Sequence, residues 1–173
     1  LIHGTKGLDV RLPEGQELSA DSKITRAEIS TMSEIILQES VVKRVGCLAG
    51  PNLAPELADN QPAATVVASK FDEVIKEGKR ALRSSRFQVY ENHDITGVEL
   101  AGVLKNVIAL ASGALRGLGY GENARALLIS RGMVEMIHMG RMLGGDIRAF
   151  FGLAGIGDLI ATCASEKSRN YTV

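Results

Sequence analysis

Apolar and polar positions alternate in short bursts over the first half of the chain and settle into long helical repeats over the second. Val45-Gly46-Cys47-Leu48-Ala49, Thr65-Val66-Val67-Ala68 and Phe87-Gln88-Val89-Tyr90 are short β-prone runs, and Leu1-Ile2-His3-Gly4 reads as the end of another strand. Between these runs lie two helix candidates. One starts at Thr25, where Thr25-Arg26-Ala27-Glu28 has the form of a capping box, and continues through Met32, Ile35, Ile36 and Gln38. The other covers about 72–84. Residues 11–24 are polar, contain Pro13 and Gly15, and predict an exposed, mobile loop. Strands alternating with helices predict an α/β layer with a parallel sheet over residues 1–91.

From Asp94 the texture is all-helical. Residues 95–118 hold only a few polar positions, and about 122–143 spaces Leu127, Leu128, Met133, Ile137 and Leu143 as one buried face. The expected division is therefore 1–91, the α/β part, and 92–173, a helical part. Thirteen of the nineteen glycines fall after residue 92, and because each costs a helix interior about 1 kcal/mol relative to Ala, close packing or backbone contact with a ligand must compensate. A first residue other than Met, inside a strand-like pattern, suggests a piece of a longer protein.

Composition narrows the function classes. The chain has 173 residues, 45% hydrophobic and 23% charged, enough to build a core. Twenty basic against twenty acidic residues leave no net field for nucleic acid or an anionic membrane, and no Trp with only three Tyr and four Phe argues against stacking on single-stranded nucleic acid. Uninterrupted apolar stretches are shorter than the roughly 20 residues of a membrane span. Cys47 and Cys163 stand far apart and fit no metal-ligand spacing, nor do His3, His93 and His138, so no metal is expected and a reducing, cytoplasmic setting is.

Five groups could carry chemistry. Lys105, followed by Asn106, sits in an apolar helix with Ala101, Gly102, Ile108 and Ala109 one turn away. It is either an amine whose burial moves its pKa toward the working range of a proton donor, or a lysine snorkelling at a helix edge. Asp158 is the lone carboxylate in Gly152–Cys163 and is either the partner of a buried cation or a helix cap, the commoner role for Asp before Leu-Ile-Ala. Ser168-Arg169-Asn170 offers hydroxyl, guanidinium and amide in a row, the donor set phosphate takes, although a solvated turn also has this composition. Thr5-Lys6-Gly7 and Gly50-Pro51-Asn52-Leu53-Ala54 follow strands and could face a ligand, or be ordinary turns. No GxGxxG fingerprint and no GxSxG elbow occur.

In order and spacing, Thr5-Lys6-Gly7-Leu8, Gly50–Ala54, Pro62–Ser69, Asp94-Ile95-Thr96-Gly97-Val98-Glu99-Leu100, Leu104–Ala109, Arg131–Met136, Gly152–Cys163 and Ser168-Arg169-Asn170 resemble the NAD(P)-dependent glycerol-3-phosphate dehydrogenase family across nearly the whole chain. The resemblance implies the second half of a Rossmann-type dinucleotide-binding domain and the start of a helical domain like the C-terminal one of 6-phosphogluconate dehydrogenase. It implies interconversion of dihydroxyacetone phosphate and sn-glycerol 3-phosphate with NAD or NADP, supplying phospholipid precursors, in a cytoplasmic homodimer. Lys105 would be the general acid and base. Asn106 and Asp158 would orient it and the substrate hydroxyls, with Thr162 nearby, and Ser168, Arg169 and Asn170 would hold the phosphate. Lys6 would meet substrate and nicotinamide, Gly50 and Asn52 the substrate, and Ala54 and Arg169 the cofactor. The chain departs from the family pattern at Asn52-Leu53, where Ser or Thr followed by Phe is common, and in the longer 11–24 loop. The family's Gly-rich phosphate loop and its last helices have no counterpart in these residues, so this stretch alone is expected neither to bind nucleotide well nor to turn over. Two alternatives stand beside this reading. One is a dehydrogenase of the same architecture acting on a 3-hydroxyacid or sugar acid, without the Ser-Arg-Asn expectation. The other is a noncatalytic helical interaction module.

Overall fold

The computed structural model describes residues 1–173 apart from 14, 16, 20, 166, 167 and 169–173. Strand β1 (Ile2–His3) stops at Gly4, and β2 (Leu8–Val10) leaves the main sheet to pair antiparallel with β3 (Ile29–Thr31). The capping box at Thr25–Glu28 is present, yet it closes only one 3-10 turn, Arg26–Glu28. The helix expected from Thr25 instead begins at Met32, as α1 (Met32–Glu39), behind a second capping box formed by Thr31 and Glu34. Two β-branched residues in Ile29-Ser30-Thr31 suit a pleated ladder better than a helix, and the ladder to β2 takes them.

The chain continues through β4 (Gly46–Ala49), α2 (Ala54–Ala58), β5 (Ala63–Ser69), α3 (Asp72–Leu82) and β6 (Phe87–Asn92). The main sheet runs β1-β4-β5-β6, parallel at β1·β4 and β5·β6 but antiparallel at β4·β5, so it is mixed where a parallel sheet was expected. The reason lies in the connections. Between β5 and β6, α3 has eleven residues, about 16 Å of rise, and can carry the chain back along the sheet; the five residues of α2 rise only about 7 Å and cannot.

Residues 95–164 are mainly helical: α4 (Ile95–Gly117), α5 (Glu122–Met142), α6 (Ile147–Phe150), a π-helical turn at Leu153–Gly157, and α7 (Asp158–Ala164). Asp94 caps α4 by accepting from Gly97 N at 2.9 Å, while its other oxygen accepts from Asp146 N at 2.7 Å and ties α6 to the same point. One core joins sheet and helices. Cys47, Ala49, Val66 and Ala68 face α4, packing with Val98, Leu100, Phe150, Leu159 and Cys163, whereas Val67 and Val89 on the opposite face meet Ile75 of α3. Burial of β5 on both faces explains why small and apolar residues fill it, with only Thr65 and Ser69 polar. On α5, Met133 and Leu143 are buried as expected and Leu128 and Ile137 pack against the core, but Leu127 is exposed and Met136 takes the buried position instead. The 3.6-residue turn carries 127 off the stripe that 133, 136 and 140 define.

By length and composition α4 could cross a membrane, as could the run Ile147–Ala164, but half of the most apolar stretch of α4 is buried inside the protein, and Ile147–Ala164 is broken by the π turn. Packing explains several of the helical glycines, although a methyl on Gly117 would meet open space. A methyl on Gly140 would enter the Phe150 ring, and one on Gly132 would come within 2.6 Å of Ile108. Gly140→Ala is therefore expected to lower stability by about 1–3 kcal/mol through overpacking, read as a lower midpoint in chemical denaturation; an unchanged midpoint would mean that α5 slides at no cost.

Candidate active site

A cavity of about 850 Å³ opens where the C-terminal ends of β1 and β4 meet α4 and α7. Lys6, Gly50, Asn52, Ala54, Lys105, Asn106, Asp158, Thr162 and Ser168 all line it, joined by Gly4, Leu48, Ala49, Leu53 and Pro55. Of the residues singled out from the sequence, only Arg169 and Asn170 are not placed, because they lie outside the described residues. Residues separated by up to 164 positions thus converge on one cavity.

Lys105 is buried, only 4% exposed, so the snorkelling alternative fails. Its ammonium lies 3.0 Å from Asp158 Oδ1 and donates to Thr162 Oγ1 at 2.5 Å. Asp158 Oδ2 accepts from Lys6 Nζ at 2.9 Å. Asp158 occupies the first turn of α7 but caps nothing with its side chain, so the ion-pair reading holds over the cap. One buried carboxylate therefore sits between two amines, and the described part of the cluster carries an excess positive charge. Burial pushes the Lys105 pKa below the ordinary lysine value; Asp158 pulls it back up, and the Lys6 charge pushes it down again. The Thr162 hydroxyl also lies 2.6 Å from the Asp158 carbonyl, one turn back on α7, which fixes its rotamer and leaves a lone pair for Lys105.

The remaining groups frame this cluster. The Lys6 stem lies across α4 at Gly102, where a methyl would stand 3.5 Å from Lys6 Cε in ordinary contact. Gly50 has φ of +150° and faces β5, where a Cβ would stand 3.1 Å from Thr65 Cα, so the turn after β4 needs glycine on both counts. Asn52 donates through Nδ2 to Thr65 Oγ1 at 2.8 Å, and the Thr65 hydroxyl donates in turn to the Ala49 carbonyl at 3.1 Å. This chain fixes the amide and leaves Asn52 Oδ1 as a buried acceptor with no hydrogen-bond partner among the described residues. Asn106 donates to the Gly102 carbonyl at 3.4 Å, and Ser168 is buried at the cavity edge.

The two thiols are unreactive parts of the core. Both are free and buried, and burial raises both pKa values, that of Cys163 to about 11. Sequence reasoning overlooked Glu99, a second buried charge on α4, and the Thr65 side chain that orients Asn52. Glu99 had the same signal as Lys105, a charge in an apolar helical register, whereas nothing local marked Thr65.

The description "NAD-dependent glycerol-3-phosphate dehydrogenase N-terminus" matches residues 1–75, and "NAD-dependent glycerol-3-phosphate dehydrogenase C-terminus" matches residues 94–173. Among curated relatives, a glycerol-3-phosphate dehydrogenase [NAD(P)+] of Frankia casuarinae is 50% identical over 82% of this chain and 43% of its own length. That of Ectopseudomonas mendocina is 46% identical over the whole of this chain and 46% of its own length. The chain thus spans less than half the length of these relatives. The crystal structure of glycerol-3-phosphate dehydrogenase from Coxiella burnetii superposes with a TM-score of 0.78 at 42% identity, covering 80% of this chain and 42% of that one. The yeast enzyme from Saccharomyces cerevisiae gives a TM-score of 0.78 at 29% identity, over 98% and 47%.

Proposed function

The chain belongs to the NAD-dependent glycerol-3-phosphate dehydrogenase family, and on that premise we propose that the full-length protein interconverts dihydroxyacetone phosphate and sn-glycerol 3-phosphate, with Lys105 as proton donor and acceptor. The observation that carries the proposal is the buried Lys105 amine at the cavity wall, held by Asp158 and Thr162 with its pKa lowered. A structural lysine gains nothing from that position, which disfavours the noncatalytic module. In the direction of reduction Lys105 gives its proton to the substrate carbonyl oxygen; in oxidation the neutral amine takes the hydroxyl proton.

The cluster suits a dianionic substrate. Lys6 and Lys105 against the single Asp158 supply preorganised positive charge in a partly desolvated cavity, and Ser168, with Arg169 and Asn170 after it, is the phosphate set that the family resemblance assigns. A cavity of about 850 Å³ is larger than a triose phosphate requires, and the orphaned Asn52 Oδ1 beside it accepts a donor such as a carboxamide NH₂ or a substrate hydroxyl. Those features fit the nicotinamide end of NAD or NADP, to which the family resemblance assigns Lys6; it assigns Ala54 and Arg169 to the cofactor as well. When bound, the nicotinamide supplies the hydride. Asp158 and Thr162 meanwhile keep Lys105 aimed into the cavity, and Leu48, Leu53 and Pro55 keep one side of it apolar. The division into a dinucleotide-binding part, 1–91, and a helical substrate part, 92–173, belongs to the same proposal, as do a cytoplasmic homodimer and a role in supplying phospholipid precursors.

The full-length protein is expected to oxidise NADH or NADPH on addition of dihydroxyacetone phosphate and to ignore a 3-oxoacid. Turnover of the 3-oxoacid instead would replace the substrate assignment, beginning with Ser168-Arg169-Asn170.

A further inference from the structure

Glu99 is the other charge buried in α4, with a side chain only 4% exposed. Its Oε1 accepts from the backbone N–H of Ser33, in the first turn of α1, at 2.9 Å and lies 3.4 Å from His3 Nε2, which is itself 2.9 Å from Ser33 Oγ. Its Oε2 has no hydrogen-bond partner among the described residues. Burying a carboxylate with half of its acceptors unmet is expensive, and an apolar residue would serve the core better. A role beyond packing is called for.

We infer that Glu99 is a positioning residue for Lys6, setting where its ammonium stands against Lys105 by gripping both flanks of the segment that carries it. The inference rests on the dehydrogenase reading. Residues 4–7 lie between β1 and β2 and belong to no strand, so no ladder fixes Lys6 directly. On one side His3 is the last residue of β1; on the other β2 is held by β3, which runs straight into α1 and Ser33. Glu99 accepts from Ser33 N–H and stands 3.4 Å from His3, which is itself tied to Ser33 Oγ, so the three residues form one cluster joining both flanks.

The lengths agree. Glu99, Gly102 and Lys105 follow each other at three-residue steps along α4, a strip that drifts about 60° around the axis per step, and six helical residues rise about 9 Å. From His3 to Lys6 three extended residues span about 10 Å. The segment therefore lies alongside α4 with His3 against Glu99, the Lys6 stem over Gly102, and the Lys6 ammonium on the Asp158 oxygen facing away from Lys105. Releasing the grip at Glu99 lets this register slip by an ångström or more, enough at a charged site to lower the rate by up to about 10²-fold.

A double-mutant cycle in the full-length protein tests this. Glu99→Gln keeps an acceptor for Ser33 N–H and so preserves the fold, checked by its melting curve, while removing the charge that faces His3. It is expected to lower kcat/KM for dihydroxyacetone phosphate at least tenfold in the unmodified protein and less than twofold when Lys6 is already Met. Labelling supplies a readout free of turnover. Acylation of Lys6 by an amine-reactive ester, quantified by mass spectrometry against the exposed Lys76, should rise at least threefold in Glu99→Gln. Equal losses in both backgrounds would make Glu99 merely structural and overturn the inference, as would unchanged labelling. If the unmodified protein does not act on dihydroxyacetone phosphate, the functional reading falls, and the labelling result alone decides the role of Glu99.

Discussion

Replacing Lys105 by Met is expected to lower turnover of dihydroxyacetone phosphate by roughly 10²–10⁴-fold, the range that a positioned general acid contributes, while leaving the protein folded. Met matches the length of the lysine stem and suits the apolar neighbours Ala101, Ile108 and Ala109, and Asp158 keeps its 2.9 Å bond to Lys6. The pH profile distinguishes loss of a proton donor from loss of a charge. Because burial holds the Lys105 pKa below the ordinary lysine value, reduction, which needs the ammonium, should decline as pH rises through that lowered pKa. Oxidation, which needs the neutral amine, should increase across the same interval. In Lys105→Met both limbs should flatten. Initial rates in the two directions across a pH series provide the check; a variant with full turnover, or with the limbs still in place, would remove Lys105 from proton transfer.

The parts of the fold legible in the sequence were those set by local pattern. The long helical register that begins near Asp94 and the short β-prone run Thr65–Ala68 each follow from spacing within a few residues. What misled was competition between local signals and long-range pairing. Thr25–Glu28 is a true capping box, yet Ile29–Thr31 is claimed by the ladder to Leu8–Val10, a partner some twenty residues away that nothing local announces. The strand directions failed for a related reason, since they depend on what the 50–62 connection can span rather than on β4 or β5 themselves. For the site, residue types and order identified Lys105 and Asp158, but local pattern left each between two roles. Their pairing is a tertiary fact: residues 105 and 158 meet only because α7 packs across α4, with Leu159 and Cys163 buried against it.

Asp158 should give the second large effect, on stability and activity together. In Asp158→Asn the amines of Lys6 and Lys105 face each other with no anion between them. Breaking a buried pair by removing one partner costs about 3–5 kcal/mol, and the low end applies here because the Lys6 side chain is one-third exposed and Lys105 can release its proton. The sign with pH follows from Lys105. Its folded-state pKa is depressed relative to about 10.4 in the unfolded chain, so between the two values the unfolded state binds more protons and stability rises with pH. Asp158 raises the Lys105 pKa, and its loss moves the folded value further down, widening that window on the acid side. The variant should therefore be most destabilised at neutral pH and below, and recover part of its stability as pH approaches 10. The same displacement should carry the falling limb of the reduction profile to lower pH. Denaturation midpoints and initial rates over one pH series read both effects; a limb that stays in place while stability drops would mean that Asp158 holds α7 on α4 without acting on the Lys105 proton, and the ion pair would then be a structural contact beside the cavity.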